Sequence, residues 1–323
     1  MVHAQPSALV IQTAFLGDVV LATALVERLC DAGYAVDCLV RAGNESLLVE
    51  HPRLREVLIW EKRRGKYRDW WRLMRRVRAA RYEVVVNPHR YAATGLWTAL
   101  SRARYRVGFR QNPFSFAYTY RREHVMGDGT HEVERNDALL VPLLGASAVA
   151  PRPRLYPTEE QRAAAAATRR PFVCVAPASV WYTKTYPEAK WVALINRLPE
   201  GTDVHLLGGP GDVALCGRIA AAATRTCHVR AGELSLLGSA ALMAEAEMNY
   251  VNDSSPVHLA SAVNAPVRVF FLSTTPALGF GPLGDDAGVR ETPKALGCRP
   301  CGKTGKRACP LGHFNCSDIA PLP

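Results

Sequence analysis

Short apolar runs alternate with amphipathic stretches along the first half of the chain. We predict four buried strands there, at residues 8–12, 36–40, 57–60 and 84–87. The stretch from Gly17 to about Asp31 has helical spacing, with Val20, Ala24 and Leu25 on one stripe. Strands that alternate with helices predict a parallel sheet covered on both faces.

The second half repeats this alternation. Strands are predicted at residues 172–176, 204–207, 248–251 and 267–271, and helices near residues 188–197, 212–223, 235–245 and 256–263. Residues 146–171 differ: four prolines and an alanine tract predict a linker followed by a surface helix. The pattern therefore predicts an α/β protein of two doubly wound domains, residues 1–155 and 156–323.

Composition and charge narrow the class of protein. The chain has 323 residues, of which 48% are hydrophobic and 21% charged, as in globular proteins. The net charge is +11; 24 Lys/Arg and 15 Asp/Glu give residues 1–154 a net of +9, and the remainder carries +2. This asymmetry indicates an anionic partner for the first half, namely nucleic acid, a membrane surface or a phosphorylated substrate. A merely well-solvated basic surface is the alternative.

Two features bear on localisation. The longest uncharged stretch, Val269–Gly284, is too short to span a bilayer. The N-terminus has no basic segment followed by an apolar one, so no signal peptide is expected. We therefore expect a cytoplasmic protein.

Ligands of doubly wound sheets bind at the carboxyl ends of the strands, so we look for chemistry in the loops that follow them. After the first strand, Gly17 allows a tight turn and Asp18 opens a helix. Asp18 is either a helix cap or a general base. Neither a G-x-G-x-x-G segment nor a P-loop follows this strand, which argues against the usual dinucleotide and NTP sites.

Three loops in the second half have similar potential. Ser179, Thr183 and Lys184 could hold phosphate oxygens or form an ordinary polar loop. Asp212 closes a Gly-Gly-Pro-Gly segment that permits close backbone approach or simply turns the chain. The segment Asp253-Ser254-Ser255 could bind a diphosphate and a sugar hydroxyl, while His258 in the next helix is either structural or ligand-binding.

The segment Lys62–Arg81 holds ten Lys/Arg and one acid, Asp69. Trp70, Met74, Val77 and Arg81 share a helical face. The segment is consistent with a membrane-surface helix or a nucleic-acid patch. We favour an amphipathic helix that packs on its sheet by the apolar face and leaves the charged face for anionic groups.

Four of the nine cysteines lie in the last 26 residues. They match the number of thiolates in a structural metal site, although the second pair lacks the C-x-x-C spacing of a zinc ribbon. Reduced free thiols are the alternative. The four residues are Cys298, Cys301, Cys309 and Cys316.

In chain order, these segments resemble glycosyltransferase family 9, the ADP-heptose:lipopolysaccharide heptosyltransferases. The resemblance spans the chain, and its cysteine-rich tail is similar to the heptosyltransferase II branch. The matching segments are Phe15-Leu-Gly-Asp18, Val107-Gly-Phe109, His131-Glu-Val-Glu-Arg-Asn136, Lys184 before Tyr-Pro, Leu207-Gly-Gly, Asn252-Asp-Ser-Ser-Pro-Val-His258, and Cys298-Arg-Pro-Cys301 with Cys309-Pro-Leu-Gly-His313 and Cys316.

The resemblance implies a GT-B fold, with two Rossmann-like domains and the active site in the cleft between them. The first domain would bind the acceptor and the second the nucleotide sugar. The implied reaction is inverting transfer of heptose from ADP-heptose to heptosyl-Kdo-lipid A of the lipopolysaccharide inner core. No catalytic cofactor and no nucleic acid are implied, and the enzyme would act peripherally on the inner face of the cytoplasmic membrane. The tail cysteines could hold one structural metal ion, either zinc or iron.

The resemblance also assigns roles to residues. Asp18 would be the general base, and Lys184 would stabilise the leaving diphosphate. Donor-binding residues would be Gly17, Ser179, Thr183, Lys184, Asp212, Leu234, Asp253, Ser254, Ser255 and His258. The resemblance does not assign the acceptor-binding residues; the candidates for contacting this anionic acceptor are the basic side chains Arg63, Arg64, Arg72, Arg75, Arg106 and Arg110.

The chain departs from the family pattern at two positions. Pro177-Ala178 replaces the usual Pro-Gly, and Ser255 replaces a glycine beside the donor. The second change puts donor identity in question. Another nucleotide sugar, a protein acceptor or a later core position is therefore an alternative, as is a non-enzymatic basic protein that binds membranes or nucleic acid.

Overall fold

A computed structural model describes residues 5–62, 65–147 and 152–322. The chain forms two compact units. The first comprises Met1–Val125 and Glu132–Tyr156, and the second comprises Met126–His131 and Pro157–Pro323.

The first unit is built on a parallel sheet covered by helices, as its alternating pattern predicts. Its strands are β1 (Ser7–Gln12), β2 (Ala35–Arg41), β3 (Leu54–Trp60), β4 (Val84–Asn87), β5 (Tyr105–Phe109) and β6 (Tyr120–Arg122). Its helices are α1 (Leu16–Asp31), α2 (Lys66–Ala80), α3 (Ala92–Leu100), α4 (Glu132–Asp137) and α5 (Val141–Leu144).

The second unit has the same plan. Its strands are β7 (Phe172–Ala176), β8 (Asp203–Leu206), β9 (Cys227–Val229), β10 (Met248–Asn252), β11 (Val267–Phe271) and β12 (Ala287–Glu291). Its helices are α6 (Glu159–Ala166), α7 (Glu188–Asn196), α8 (Val213–Ala222), α9 (Leu236–Glu245) and α10 (Ser255–Ala262). The surface helix predicted after the linker is α6, which Thr158 caps through the Gln161 N–H.

Both sheets are parallel and share one strand order. The first runs β3-β2-β1-β4-β5-β6 and the second β12-β11-β10-β7-β8-β9. In the first, the chain moves outward from β1 to β3 and then returns to the other side of β1 at β4. The second does the same at β7 and β10. We call these two places the switch points.

Tryptophan side chains fill the core of the first unit. Trp97 is fully buried, with its ring centroid 4.8 Å from that of Trp60 and 5.7 Å from that of Trp70. The apolar stripe of α2, including Trp70 and Val77, packs into this core, so the predicted packing of the helix on its sheet is confirmed. Arg81 is not on that buried face: it follows the helix with a left-handed φ of 48° and is exposed, which corrects the sequence assignment.

The eight strands predicted from apolar runs are all present, whereas β5, β6, β9 and β12 were not predicted as strands. Three of these four lie at sheet edges, and a strand that packs on few neighbours needs little apolar sequence. Within the described residues, no helix is long and apolar enough to cross a membrane.

Candidate active site

Three residues to which the sequence assigns chemistry lie in loops that follow central strands. Asp18 follows β1 and Ser179 follows β7, while Asp253 follows β10. Each therefore lies at a switch point, where doubly wound sheets bind their ligands.

Asp18 caps α1 and also holds its proton more tightly than an ordinary aspartate. Its Oδ2 accepts a hydrogen bond of 3.2 Å from the Phe15 N–H. Burial raises the pKa of Asp18 to about 6, and the negative charge of Glu132 adds to the rise, against the opposing effects of the Phe15 N–H, Arg90 and Arg41. A carboxylate with this pKa is a stronger base than a solvated aspartate and is still ionised at pH 7.5.

Gly17 precedes this carboxylate as the second residue of α1. Because α1 begins at Leu16, Gly17 lies inside the helix, where it is buried, and not in a turn before it. Its small size places the backbone next to the first switch point.

Glu132 is a site residue to which the sequence analysis gave no role. It is the first residue of α4, and its carboxylate is 2.9 Å from both His124 Nε2 and Arg135 Nη1. The side chain is 11% exposed. A histidine and an arginine thus fix a second carboxylate close enough to act electrostatically on Asp18. The segment that begins at His131 matches the family pattern and contains Glu132. The sequence does not show that Glu132 lies near Asp18, because the two residues are more than a hundred positions apart.

At the second switch point, Asn252 joins the loops after β7 and β10. Its Nδ2 donates to the Pro177 carbonyl at 2.7 Å, and its Oδ1 accepts from the Tyr186 N–H at 3.0 Å. Ser254 adds a weak hydrogen bond of 3.4 Å to the Ala178 carbonyl. The amide side chain therefore holds the two predicted donor-binding loops in fixed register.

Lys184 and Asp253 meet at this switch point. Lys184 Nζ is 2.7 Å from Asp253 Oδ2, and the two side chains are 16% and 7% exposed. Asp253 also accepts a hydrogen bond from the Thr274 hydroxyl. The ammonium group is thus oriented in a largely desolvated place, where a positive charge interacts strongly with an anionic ligand.

His258 lies in α10, the helix that begins at the partly exposed Ser255. Burial lowers the pKa of His258 to about 3, with further lowering from His131 and Lys184. Its Nδ1 has no hydrogen-bond partner within the described part of the chain. The imidazole is therefore neutral at physiological pH and can exchange hydrogen bonds with a hydroxyl without adding charge.

Two hydroxyls assigned to donor binding differ in what they contact. The Thr183 hydroxyl is buried, accepts from the Lys306 N–H at 2.8 Å and contacts Ser273 Oγ at 3.0 Å. It therefore fixes the loop from within. Ser179 is partly exposed, and its hydroxyl accepts only a weak bond of 3.4 Å from the Trp181 N–H.

Asp212 and Leu234 lie beyond the switch point, in the loops that follow β8 and β9. Asp212 Oδ2 accepts a hydrogen bond of 2.8 Å from the Gly209 N–H and so closes the glycine-rich turn. Leu234 is partly buried just before α9. Both are at the same edge of the sheet as Lys184.

The arginines assigned to acceptor binding fall into separate groups. Arg63 and Arg64 lie outside the described residues. Arg72 and Arg75 are exposed on α2, where Arg72 pairs with Asp69 at 2.6 Å.

The other two acceptor candidates lie on or beside β5. Arg106 is partly buried and donates to the Ala103 carbonyl at 2.7 Å and the Ala117 carbonyl at 2.8 Å, so its guanidinium supports local structure. Arg110 is exposed immediately after the strand. The structure thus leaves Arg110 and Arg75 with more exposed guanidinium groups than Arg106.

All four tail cysteines are free thiols. Backbone N–H groups, that of Phe314 foremost, lower the pKa of Cys309, whereas burial and then the charges of Cys309 and Cys298 raise the pKa of Cys316. These three thiols are therefore close enough to interact electrostatically, and Cys309 is stabilised as a thiolate. Across the described residues, no group of three or more His, Cys, Asp or Glu side chains is gathered as a metal site.

The chain is similar to known glycosyltransferases over most of its length, both in structure and in sequence. The structure of Escherichia coli ADP-heptose LPS heptosyltransferase II matches with a TM-score of 0.80 at 22% identity, covering 98% of this chain and 95% of that one. Lipopolysaccharide heptosyltransferase 1 of Pseudomonas aeruginosa is 27% identical over 298 residues, which are 83% of this chain and 79% of the relative. Lipopolysaccharide heptosyltransferase 3 of E. coli is 26% identical over 283 residues, 80% of this chain and 82% of the relative.

The fold is therefore GT-B, built from two Rossmann-like domains, and the chain is a glycosyltransferase. The sequence model of glycosyltransferase family 9 (heptosyltransferase) matches residues 70–311. The chain belongs to glycosyltransferase family 9.

The raised pKa of Asp18 predicts the pH dependence of turnover. Because a base acts only when ionised, kcat/KM should fall as pH decreases through about 6 and level off above it. Replacing Glu132 by Gln removes one cause of the raised pKa, so the acid limb should move to lower pH. A pH profile of kcat/KM for the acceptor, recorded at saturating donor, measures the position of the acid limb in the wild type and in Glu132→Gln.

Glu134→Gln, an exposed position on the same helix, is the matched control and should leave the limb in place. Asp18→Asn should lower kcat by ~10²–10⁴ above pH 6 and should remove the acid limb, because asparagine does not titrate. An unshifted limb in Glu132→Gln would show that its charge does not act on the base.

Proposed function

We propose that this glycosyltransferase transfers heptose from ADP-heptose to the lipopolysaccharide inner core, with heptosyl-Kdo-lipid A as acceptor. The observation that carries the proposal is the desolvated carboxylate of Asp18 at the first switch point of a family 9 chain. The relatives' names support the choice of donor sugar and acceptor class.

In the proposed step, an acceptor hydroxyl oxygen attacks the anomeric carbon of the heptose. The new C–O bond forms as the bond from that carbon to the diphosphate breaks, ADP leaves from the opposite face, and the configuration inverts. Asp18 takes the hydroxyl proton. Its pKa of about 6 brings it closer to the range in which a base is both ionised and effective near neutral pH.

The leaving diphosphate gains negative charge, and residues at the second switch point suit it. Lys184 supplies a positive charge that Asp253 holds in place, and the N-terminus of α10 adds N–H groups beside Ser254 and Ser255. The neutral His258 and the Asp253 carboxylate are suited to sugar hydroxyls. The step as proposed uses no cofactor, because the lysine and the helix dipole provide the charge that a metal would otherwise supply.

Removal of the lysine charge tests the donor assignment. Lys184→Met should lower kcat/KM for ADP-heptose by ~10²-fold or more, because the developing charge on the diphosphate loses its partner. ADP release in the presence of heptosyl-Kdo-lipid A is the measurement. Lys294→Met, an exposed lysine that pairs with Asp318, is the matched control and should behave as wild type.

The same assay tests donor and acceptor identity. Turnover of another nucleotide sugar in place of ADP-heptose would overturn the donor assignment. Transfer only to a protein or to a later core sugar would overturn the acceptor assignment.

We further propose that α2 docks the enzyme on the anionic inner face of the cytoplasmic membrane. Tyr67 and Trp71 lie one turn apart on its outer face and are 77% and 56% exposed. Arg68 and Arg75 extend this face and form no ion pair within the described part of the chain. Interfacial aromatic rings beside arginines are suited to lipid headgroups, and each basic residue near such a surface contributes about 1 kcal/mol.

Vesicle binding checks the docking face. The enzyme should sediment with phosphatidylglycerol vesicles at low salt and much less with phosphatidylcholine vesicles. Arg75→Glu and Trp71→Ala should each weaken binding, whereas Arg162→Glu on α6 should have little effect. Salt should raise the KM for the lipid acceptor far more than that for ADP-heptose. Equal binding by Arg75→Glu and wild type would rule out this face.

We also propose that the tail cysteines bind one structural zinc or iron ion. The backbone N–H groups around Cys309 stabilise the thiolate form that a metal requires, and Cys298 and Cys316 lie within electrostatic range of it. Cys301 would be the fourth thiolate, and the four side chains would have to draw together on binding, because they are not gathered as a metal site in this structure. The ion would cross-link the tail and play no part in transfer.

Elemental analysis of protein purified without chelator tests this site. We expect about one zinc or iron per chain and loss of that metal in Cys309→Ser. Cys174→Ser, at a buried cysteine of β7, should keep full occupancy. Less than about 0.2 metal per chain in the wild type would exclude the tetrathiolate.

A further inference from the structure

The turn between β4 and α3, residues 87–91, is held in place by hydrogen bonds from the side chains of Asn87 and Asn112. The His89 N–H donates to Asn87 Oδ1 at 3.0 Å. Asn112 Nδ2 donates to the carbonyls of His89 at 2.9 Å and Tyr91 at 3.1 Å. Asn87 Nδ2 in turn donates to the Tyr118 hydroxyl at 3.0 Å.

Two glycines make this arrangement sterically possible. A Cβ on Gly95 would lie 1.9 Å from Asn112 Oδ1, and one on Gly108 would lie 2.6 Å from both the Asn87 carbonyl oxygen and the Tyr118 ring. Real Cβ atoms do not approach neighbours this closely, so both positions need glycine. The turn is therefore closely packed on both sides, against Asn112 at Gly95 and against Tyr118 at Gly108.

The His89 imidazole stands apart from this network. It is 7% exposed, and neither ring nitrogen has a hydrogen-bond partner within the described residues. Burial lowers the pKa of His89 to about 4, with further lowering from Lys62 and Arg90. The ring is therefore neutral, with one N–H donor and one acceptor nitrogen. Buried polar groups without partners destabilise a folded protein and are uncommon.

Thr13 is a second buried polar side chain without a partner. It is 1% exposed, and its hydroxyl makes no hydrogen bond among the described residues. Its carbonyl accepts from Lys62 Nζ at 3.2 Å, and that ammonium lies 4.4 Å from the centroid of the Trp60 ring. Lys62 also acts electrostatically on His89, so the charge of the lysine that contacts the Thr13 carbonyl also reaches the His89 ring.

Both side chains lie at the first switch point. Thr13 directly follows β1, and His89 comes two residues after β4, the neighbouring strand. Arg90 acts electrostatically on both His89 and Asp18, so the turn is close to the proposed base. The partnerless groups are thus gathered where a doubly wound sheet receives its ligand.

We propose that Thr13 and His89 form a subsite that binds hydroxyl groups of the acceptor sugar and orients it on Asp18. The inference rests on the proposed glycosyl transfer and adds residues to it. A neutral imidazole and a hydroxyl each offer a donor and an acceptor, which matches a sugar hydroxyl. A phosphate offers only acceptors and would leave the imidazole acceptor nitrogen unsatisfied. Lys62 suits an anionic group elsewhere on the same acceptor.

The test separates acceptor binding from donor binding in the whole enzyme. The probe is a lipid-free heptosyl-Kdo oligosaccharide, so that membrane contacts do not contribute. His89→Leu should raise the KM for this oligosaccharide about tenfold or more, since one hydrogen-bonded group lost from a buried site is worth roughly 1–3 kcal/mol. Thr13→Val should raise it less. The KM for ADP-heptose, and the slow release of ADP without acceptor, should stay within about twofold of wild type, because neither measures this subsite.

Matched variants guard against a purely structural effect. His205→Leu removes a buried histidine of β8 whose Nε2 also has no partner, and it should leave both KM values unchanged. His89→Gln keeps a donor and an acceptor and should recover part of the acceptor affinity. If His89→Leu fails to fold by circular dichroism, His89→Gln and Thr13→Val carry the test.

The contrary outcomes are distinct. A wild-type acceptor KM in folded His89→Leu would overturn the subsite, including the case in which the ring merely holds a structural water and only thermal stability falls. An equal rise in both KM values would also overturn it. Absence of transfer by the wild-type enzyme would instead refute the proposed function. Calorimetric binding of the oligosaccharide would then test the subsite separately. The subsite proposal is wrong if wild type and His89→Leu bind the oligosaccharide equally well, or if neither binds it.

Discussion

Right-handed crossover connections between parallel strands determine where this protein can do chemistry. The strand order 3-2-1-4-5-6 changes direction once in each sheet. Because parallel crossovers are right-handed, the helices before and after that change cover opposite faces. The loops after the two central strands then diverge to opposite faces and leave a recess at the carboxyl edge. Asp18 and His89 lie at one such recess, and Lys184 and Asp253 lie at the other. The rest of each unit keeps these loops fixed.

Electrostatics at the two recesses follow opposite designs. At the first, burial and the fixed charge of Glu132 make Asp18 hold a proton more tightly, and Arg90 and Arg41 limit that effect. At the second, Lys184 is paired with Asp253, so its charge is oriented but partly neutralised. The proposed base needs affinity for protons, whereas the lysine proposed to bind the diphosphate needs a persistent positive charge. The same fold meets both needs through different neighbours.

The sequence was sufficient for the fold and for residues that sit directly after apolar strands. Buried parallel strands are continuous apolar runs, and Asp18 and Asp253 follow such runs immediately. Edge strands such as β12, partly exposed along their length, lack that signal. The roles of Glu132 and His89 depend on contacts between segments far apart in the chain, which periodicity does not encode. Thr183 and Arg106 show the converse: their residue types suit ligands, yet the structure uses their polar groups internally.

The net charge of the first half does not show which of its basic residues have an acidic partner and which do not. Several arginines are tied to acids within the unit: Arg28 to Asp137, Arg53 to Glu27 and Asp31, Arg55 to Asp37, and Arg76 to Glu56. Such pairs contribute nothing to the net charge and exert little field at a distance, because each positive group has a negative one beside it. The outer face of α2 differs, since Arg68 and Arg75 stand next to exposed aromatic rings rather than acids. The proposed attraction to an anionic surface therefore depends on a few residues of one helix more than on the total of +9 in residues 1–154.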